Sequence, residues 1–230
     1  MASEDNLADL GLRYDLTVPL TRYYATNRAK LPTVFKALQT GPVWRAERPQ
    51  KGRYRQFVQC DIDIIGDASI LAEIELLNAS LDALTAIGLN DATIRVNHRV
   101  LLANLLEQLG VPEAGKGSAM ITIDKLDKIG QEAMTAELLA KGANAAQIQH
   151  FYAMLQLKSA EEKWQFLAAL NPDAQLSLGL AELQSLFVLL EGFELGKHVQ
   201  FDPTLARGLD YYTGTIMEVV THEAAMGSIG

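Results

Sequence analysis

The period of the apolar positions changes several times along the chain, and each change predicts an element. Residues 12–27, LRYDLTVPLTRYYATN, open as a polar extended segment and then take the spacing of a short helix, with Thr17 placed to cap it and Pro19 near its first turn. From Thr40 to Gly66 two extended runs, GPVWRAE and RYRQFVQCDIDIIG, flank the polar connector RPQKG. In the second run Phe57, Gln59, Asp61 and Asp63 alternate with Val58, Cys60, Ile62 and Ile64, a period of two that predicts a long antiparallel hairpin. Asp67 or Ser69 is placed to cap the next helix, in which Ile70, Ile74, Leu77, Leu81 and Leu84 recur at three- and four-residue steps. That helix is expected to lie on the sheet.

ATIRV (92–96) predicts a short strand, followed by a helix ending near Gly110. Between about 112 and 176 the pattern is helical throughout, in KLDKIGQEAMTAELLAKG, NAAQIQHFYAMLQL and SAEEKWQFLAAL. Ser159 and Glu162 have capping-box spacing, and Asn171-Pro172 stops that helix. A further helix covers about Ala174 to Glu191, after which KHVQFDP, ARGLDYYTG and TIMEVVTHE return to strand-and-turn composition. A strand signal that is interrupted and then resumes predicts an α+β fold, an antiparallel sheet flanked by helices with an inserted helical domain. The boundaries drawn are 1–111 for the first part of the core, 112–176 for the insertion and 177–230 for the second part of the core.

Composition narrows the classes. Of the 230 residues 49% are apolar and 21% charged, without low-complexity tracts, which is the profile of a globular protein. The single cysteine, Cys60, excludes an internal disulfide and a cysteine-rich metal site and fits a reducing cytoplasm. No basic segment leads into an apolar one at the start and no 18 apolar residues run together, so neither secretion nor membrane spanning is expected. The net charge of −8 argues against a protein that coats nucleic acid through overall positive charge, and leaves room for a local basic surface. His98, His150, His198 and His222 show no ligand spacing, so no metal site built from protein side chains is expected. Trp44 and Trp164 sit in apolar patterns and are read as packing residues.

Two features carry candidate chemistry. Residues 45–55, RAERPQKGRYR, hold Arg45, Arg48, Lys51, Arg53 and Arg55, in a chain with 20 Lys and Arg in all. By composition alone this is equally a solvated hairpin tip. Arg45, placed within a strand before the turn, suits bidentate recognition of a phosphate, whereas Arg48, Lys51 and Arg55 suit looser contacts to polyphosphate or a nucleic-acid end. The second feature is the face carrying Gln59 and Asp63, which is either a polar solvent face or the wall of a pocket; Asp61 is assigned to solvent. Tyr211-Tyr212 by itself reads as core packing.

The segment GPVWRAERPQKGRYRQFVQCDIDIIG resembles motif 2 of class II aminoacyl-tRNA synthetases, and ERPQKGRYRQF is similar to the histidyl-tRNA synthetase version in particular. LRYDLTVPLTRYY resembles that family's amino-acid-binding segment and ARGLDYYTG its histidine-specific signature; the three lie in the family's order, and the helical stretch falls where the family carries its insertion domain. The resemblance implies a ligase that joins histidine to tRNA(His) through histidyl-adenylate made from ATP, with Mg2+ accompanying the nucleotide as its substrate complex. It implies Arg45 at the ATP α-phosphate, Glu47 and Arg53 close to the nucleotide, and Arg207 reaching the α-phosphate from another side. It further implies Asp15, Thr17 and Gln59 at the substrate ammonium, and Asp63 and Tyr212 at the imidazole with Tyr211 nearby. The insertion would contact the tRNA acceptor arm, and the full-length enzyme would be a homodimer.

Upstream of LRYDL there is too little chain for the family's motif 1, the chain stops at GSIG before the arginine-bearing motif 3, and the anticodon-binding domain is missing, so a piece of a longer enzyme is expected. The competing reading is the family's paralogue, the histidine-sensing regulatory subunit of ATP phosphoribosyltransferase, in which the catalytic signatures tend to be degraded. Here Arg45, Arg53, Arg207 and the tyrosine pair are all in place. A plain nucleic-acid-binding module would need a broad basic face, which the charge balance does not provide.

Overall fold

Alternation on both sides of the basic connector builds the hairpin. In the computed structural model, which describes residues 9–49, 52–170, 174–207, 212–221 and 227–230, β1 (Phe35–Trp44) pairs antiparallel with β2 (Gln56–Ile65). The register sets Gly41 opposite Gln59, Gln39 opposite Asp61 and Ala37 opposite Asp63. The first strand starts earlier than its sequence pattern indicates, because Phe35–Gln39 find ladder partners in Asp61–Ile65. One face of the hairpin leaves Leu38 and Val58 71% and 67% exposed, together with Thr40 and Cys60. The other face, with Phe57, Gln59, Asp61 and Asp63, is half-buried. Around Val58 and Cys60 the face of Gln59 is thus the more covered one, the reverse of an ordinary one-sided sheet, while from Asp61 to Ile65 both faces of β2 are half-buried.

The segment before α1 (Thr17–Asn27) helps to cover that face. Trp44 donates its amide to the Arg13 carbonyl at 2.9 Å, and Arg13 Nε donates to the Pro42 carbonyl at 2.9 Å. Gly41 permits this crossing, since a Cβ there would lie 2.6 Å from the Arg13 guanidinium. Thr17 is the first residue of α1 and not its cap. The N-cap position falls on Leu16, which makes no side-chain capping bond, and the Val18 amide is instead accepted by the carboxylate of Asp15, one residue before the cap, at 3.2 Å. Tyr23 and Tyr24 pack their rings against Phe35 at 6.3 and 5.8 Å.

Gly66 closes the hairpin with φ +93°, and a Cβ there would meet the Thr33 carbonyl oxygen at 2.1 Å. The Asp67 carboxylate then accepts the Ser69 amide at 2.8 Å as the chain enters α2 (Ile70–Ala86). Lys36 reaches from β1 to Glu75 of this helix at 2.5 Å.

The chain divides into two compact units, residues 1–76 and 77–230, with the boundary inside α2. The second unit is organised on β3 (Thr93–His98), which pairs in parallel with β4 (Val199–Phe201) and antiparallel with β5 (Thr215–Thr221); β6 (Gly227–Ser228) adds to β5. The interrupted strand signal therefore resumes on β3, while the hairpin forms a two-stranded sheet of its own and the larger sheet is mixed. A parallel β3–β4 pair requires a long crossover. Six helices supply it among the described residues: α3 (Arg99–Gln108), α4 (Glu113–Ile123), α5 (Leu126–Ala140), α6 (Ala145–Leu155), α7 (Ala160–Leu170) and α8 (Ala174–Gly192).

Helix ends follow the capping chemistry. Ser159 Oγ accepts the Glu162 amide and Glu162 accepts the Ser159 amide, each at 3.1 Å, a reciprocal box at the start of α7. Asn144 accepts the Ala146 and Gln147 amides at the start of α6. The expected stop at Asn171-Pro172 lies outside the described residues. Leu102, Leu106, Ile123, Met134, Ile148 and Leu167 are fully buried in the helical layer. Trp164 packs edge-on to Phe187 at 5.3 Å. His98 is buried, caps α3 by accepting the Val100 amide at Nδ1, and faces Glu182 through Nε2 at 2.9 Å. His198 Nδ1 lies 3.3 Å from the Ala92 carbonyl, His150 is exposed, and His222 lies outside the described residues.

The close approach at Gly66 makes it a sensitive position. Gly66→Ala is expected to lower stability by about 2 kcal/mol, from a strained φ and the forced displacement of Thr33. Urea unfolding of the two proteins measures this; an unchanged midpoint would contradict it.

Candidate active site

Arg45 lies one residue beyond β1 and not within it, although its amide still pairs with the Arg55 carbonyl at 2.9 Å. The ladder hydrogen bond continues for one residue as the strands separate into the connector. Its guanidinium is fixed from two directions. Nε donates to the Tyr14 carbonyl at 3.2 Å, and the planar group lies 5.1 Å from the centre of the Phe57 ring. Backbone and ring therefore hold the fork while its terminal nitrogens make no hydrogen bond among the described residues. Glu47 and Arg53 form an exposed ion pair at 3.4 Å, and Arg55 Nε donates to the Glu47 carbonyl at 3.3 Å. Such surface pairs contribute little to stability. Arg48 is exposed, and Lys51 lies outside the described residues.

On the covered face of β2, Gln59, Asp61 and Asp63 follow one another at every second residue. The Gln59 carbonyl oxygen is buried without a hydrogen-bond partner, a state that leaves an acceptor open to a donor from a ligand. Gln39 donates its amide to Asp63 at 3.3 Å. Burial pushes the Asp63 carboxyl above its ordinary value, with the Gln39 hydrogen bond opposing it. Asp61 is also pushed up, first by burial and then by the charges of Asp63 and Asp15, against the pull of Arg45.

Asp61 is thus not the solvent residue its sequence suggested. It is half-buried between Gln59 and Asp63 and within electrostatic reach of Asp15 and Arg45. The signal that could have found it is the alternation itself, which puts it on the same face as its two neighbours. Three carboxylates with an unsatisfied carbonyl make a face suited to a cation with several N–H donors. Thr17 is half-buried at the start of α1, next to Asp15.

Arg207 and Tyr212 belong to the second unit. Arg207 is bound to the carboxylate of Glu218, which is 4% exposed, and Arg207 Nε is buried without a partner. Tyr212 is exposed; residues 208–211, including Tyr211, lie outside the described residues. Among the described residues no cluster of three or more His, Cys, Asp or Glu could hold a metal ion, and no helix is long and apolar enough to cross a membrane.

A family model described as histidyl-tRNA synthetase matches residues 4–227. The chain belongs to the histidyl-tRNA synthetase family. A histidine–tRNA ligase from Leifsonia xyli is 49% identical over 98% of this chain and 53% of the relative, and one from Cytophaga hutchinsonii is 41% identical over 95% and 49%. The chain spans about half the length of the curated relatives it matches. Among solved structures, the histidyl-tRNA synthetase from Nostoc sp. PCC 7120 superposes with a TM-score of 0.82 at 31% identity, covering 94% of this chain and 51% of that one. An ATP phosphoribosyltransferase regulatory subunit/histidyl-tRNA synthetase from Bacillus halodurans shares the fold, with a TM-score of 0.77 at 20% identity over 92% of this chain and 54% of that one. The α+β fold of this chain is therefore the one found in synthetase structures.

For this synthetase-family hairpin, the raised carboxyls fix the sign of a pH effect. A carboxyl whose folded pKa is raised contributes stability that is present below its ordinary value of 3.8 and is lost as pH rises through the raised value. At neutral pH the charged Asp61 therefore costs stability. Asp61→Asn is expected to be more stable than the parent at neutral pH, with the difference closing as pH falls toward the ordinary carboxylate value. Urea midpoints across that range measure it, and an Asn variant less stable at neutral pH than the parent would refute it.

Proposed function

We propose that this chain is part of a histidine–tRNA ligase that activates histidine with ATP and transfers it to tRNA(His). The observation that carries the reading is the covered polar face of the hairpin, where the unpartnered Gln59 carbonyl stands with Asp61 and Asp63 and Arg45 is held at its end. That combination offers acceptors for an amino-acid cation and a fixed donor for a phosphate.

In the first step the histidine carboxylate attacks the α-phosphorus of ATP, the bond to the bridging oxygen breaks, and pyrophosphate leaves with Mg2+ as part of the substrate complex. Negative charge grows on the α-phosphoryl oxygens. Arg45 and Arg207 are assigned to those oxygens, because fixed donors stabilise developing charge more than they stabilise the ground state. Glu47 and Arg53 are assigned to the nucleotide. Asp15, Thr17 and Gln59 take the ammonium common to all amino acids, and Asp63 and Tyr212, with Tyr211 nearby, take the imidazole; Arg207 also contributes to the histidine site. In the second step a tRNA hydroxyl attacks the mixed anhydride and AMP leaves. No protein nucleophile is required in either step.

In the same reading residues 1–111 and 177–230 are core and 112–176 an insertion that contacts the tRNA acceptor arm. The complete enzyme is a homodimer of the cytoplasm.

Arg45→Ala in the complete enzyme is expected to slow histidine-dependent ATP–pyrophosphate exchange by at least about a hundredfold, the scale of losing one preorganised charged donor. Exchange itself separates a ligase from a histidine-sensing regulatory subunit, which would show none. Near-normal exchange in a folded Arg45→Ala enzyme would remove Arg45 from the site.

A further inference from the structure

The second unit contains a line of alternating charge that ends on Arg207. Asp202, just after β4, binds Arg95 of β3. Arg95 reaches Glu218 of β5, its register partner across the strands, at 3.4 Å. Glu218 in turn holds Arg207 through its other carboxylate oxygen. The backbone leading to Arg207 is fixed as well. Asp202 accepts the Thr204 amide at 2.8 Å and its hydroxyl at 2.6 Å, and Asn97 donates to the Pro203 and Leu205 carbonyls at 3.3 and 2.9 Å.

We infer that Glu218 is a positioning residue for catalysis, holding the Arg207 guanidinium in the orientation in which it meets the α-phosphate. The inference rests on the proposed assignment of Arg207 to that phosphate. A carboxylate only 4% exposed is costly unless its charge is matched. Arg95 is shared among Glu218, Asp202 and Asp127, so Arg207 is a counter-charge to Glu218 as well; the link differs from a plain ion pair in ending on a guanidinium that reaches the surface. The Arg207 side chain is 42% exposed, while its Nε is buried and unbonded. Nη2 is therefore the anchored nitrogen, held by the buried Glu218 carboxylate, and the side chain stays partly open to a ligand. A long side chain held in this way has lost its rotamer freedom before substrate arrives, which is what makes a donor effective when charge develops.

The test is a double-mutant cycle on ATP–pyrophosphate exchange in the complete enzyme, using Arg207→Ala, Glu218→Gln and both together. Glu218→Gln keeps the size and one acceptor but removes the charge. It is expected to lower kcat about tenfold in the parent, as a displaced catalytic group does, and by less than about twofold when Arg207 is already Ala, because Glu218 acts through Arg207. Equal losses in both backgrounds would make Glu218 a structural residue and overturn the inference. Near-normal Glu218→Gln beside a slow Arg207→Ala would overturn the inference alone. A near-normal Arg207→Ala would overturn the phosphate assignment and the inference with it. Should Glu218→Gln fail to fold, Glu218→Asp, which keeps the charge but withdraws it by one methylene, runs the same cycle with the same expected non-additivity.

Discussion

Carboxylates held partly out of water cost free energy, and a fold keeps them there only when something else fixes the chain around them. The hairpin formed by β1 and β2 does this through its register. Ten consecutive pairs from Phe35–Ile65 to Trp44–Gln56 set the register, and a slip by one residue would carry Gln59, Asp61 and Asp63 to the opposite face. Residues 13–15 then lie along the first strand, tied by Arg13 to Pro42 and by the Trp44 amide to the Arg13 carbonyl, with Tyr14 offering its carbonyl to Arg45. The same few bonds therefore cover the acidic face and aim the arginine. Gly41 and Gly66 are the two places where this arrangement needs a missing Cβ, one for the crossing of Arg13 and one for the turn past Thr33.

The second unit solves a similar problem with ion pairs. Its sheet places Arg95 and Glu218 directly opposite each other on β3 and β5, and the parallel β3–β4 pair brings Asp202 to Arg95. The parallel pairing is what the helical crossover makes possible, so the helices from α3 to α8 serve the position of these charges as well as burying a core. Glu218 is matched by Arg207 and by an Arg95 that it shares with Asp202, so removing either arginine would leave buried negative charge undercompensated.

Much of this was legible in the sequence, and the reasons are specific. The period-two run through Asp63 predicted the hairpin, the Ser159–Glu162 spacing predicted a box that forms reciprocally, and the resumption of strand pattern after the helices predicted the return to β3. The extent of β1 was missed because Phe35–Gln39 has no strong alternation and is drawn into the sheet by its partner. Thr17 does not cap α1 because the helix begins on it, with Leu16 at the cap position and Asp15 accepting the Val18 amide from one residue further out. Asp61 reads as a solvent residue because the resemblance gives roles to Gln59 and Asp63 and none to the residue between them; which face is covered is a tertiary fact. The links from Arg207 to Glu218 and onward to Arg95 join residues far apart in the chain, and no spacing rule reveals them.

In the proposed function the covered hairpin face selects histidine, with Asp63 accepting from the ring and Asp15 and Gln59 holding the ammonium. A buried group left without its partner costs about 1–3 kcal/mol, so a site of this kind discriminates strongly at the ring end. The direct measurement is ATP–pyrophosphate exchange by the complete enzyme with histidine and a panel of competing amino acids, for the parent, Asp63→Ala and Asp15→Ala. Asp63→Ala is expected to lower the efficiency with histidine by at least about tenfold and to narrow the preference for it, the scale of one lost polar partner, while Asp15→Ala is expected to weaken activation and leave the preference unchanged. Unchanged efficiency and discrimination in a folded Asp63→Ala enzyme would contradict it.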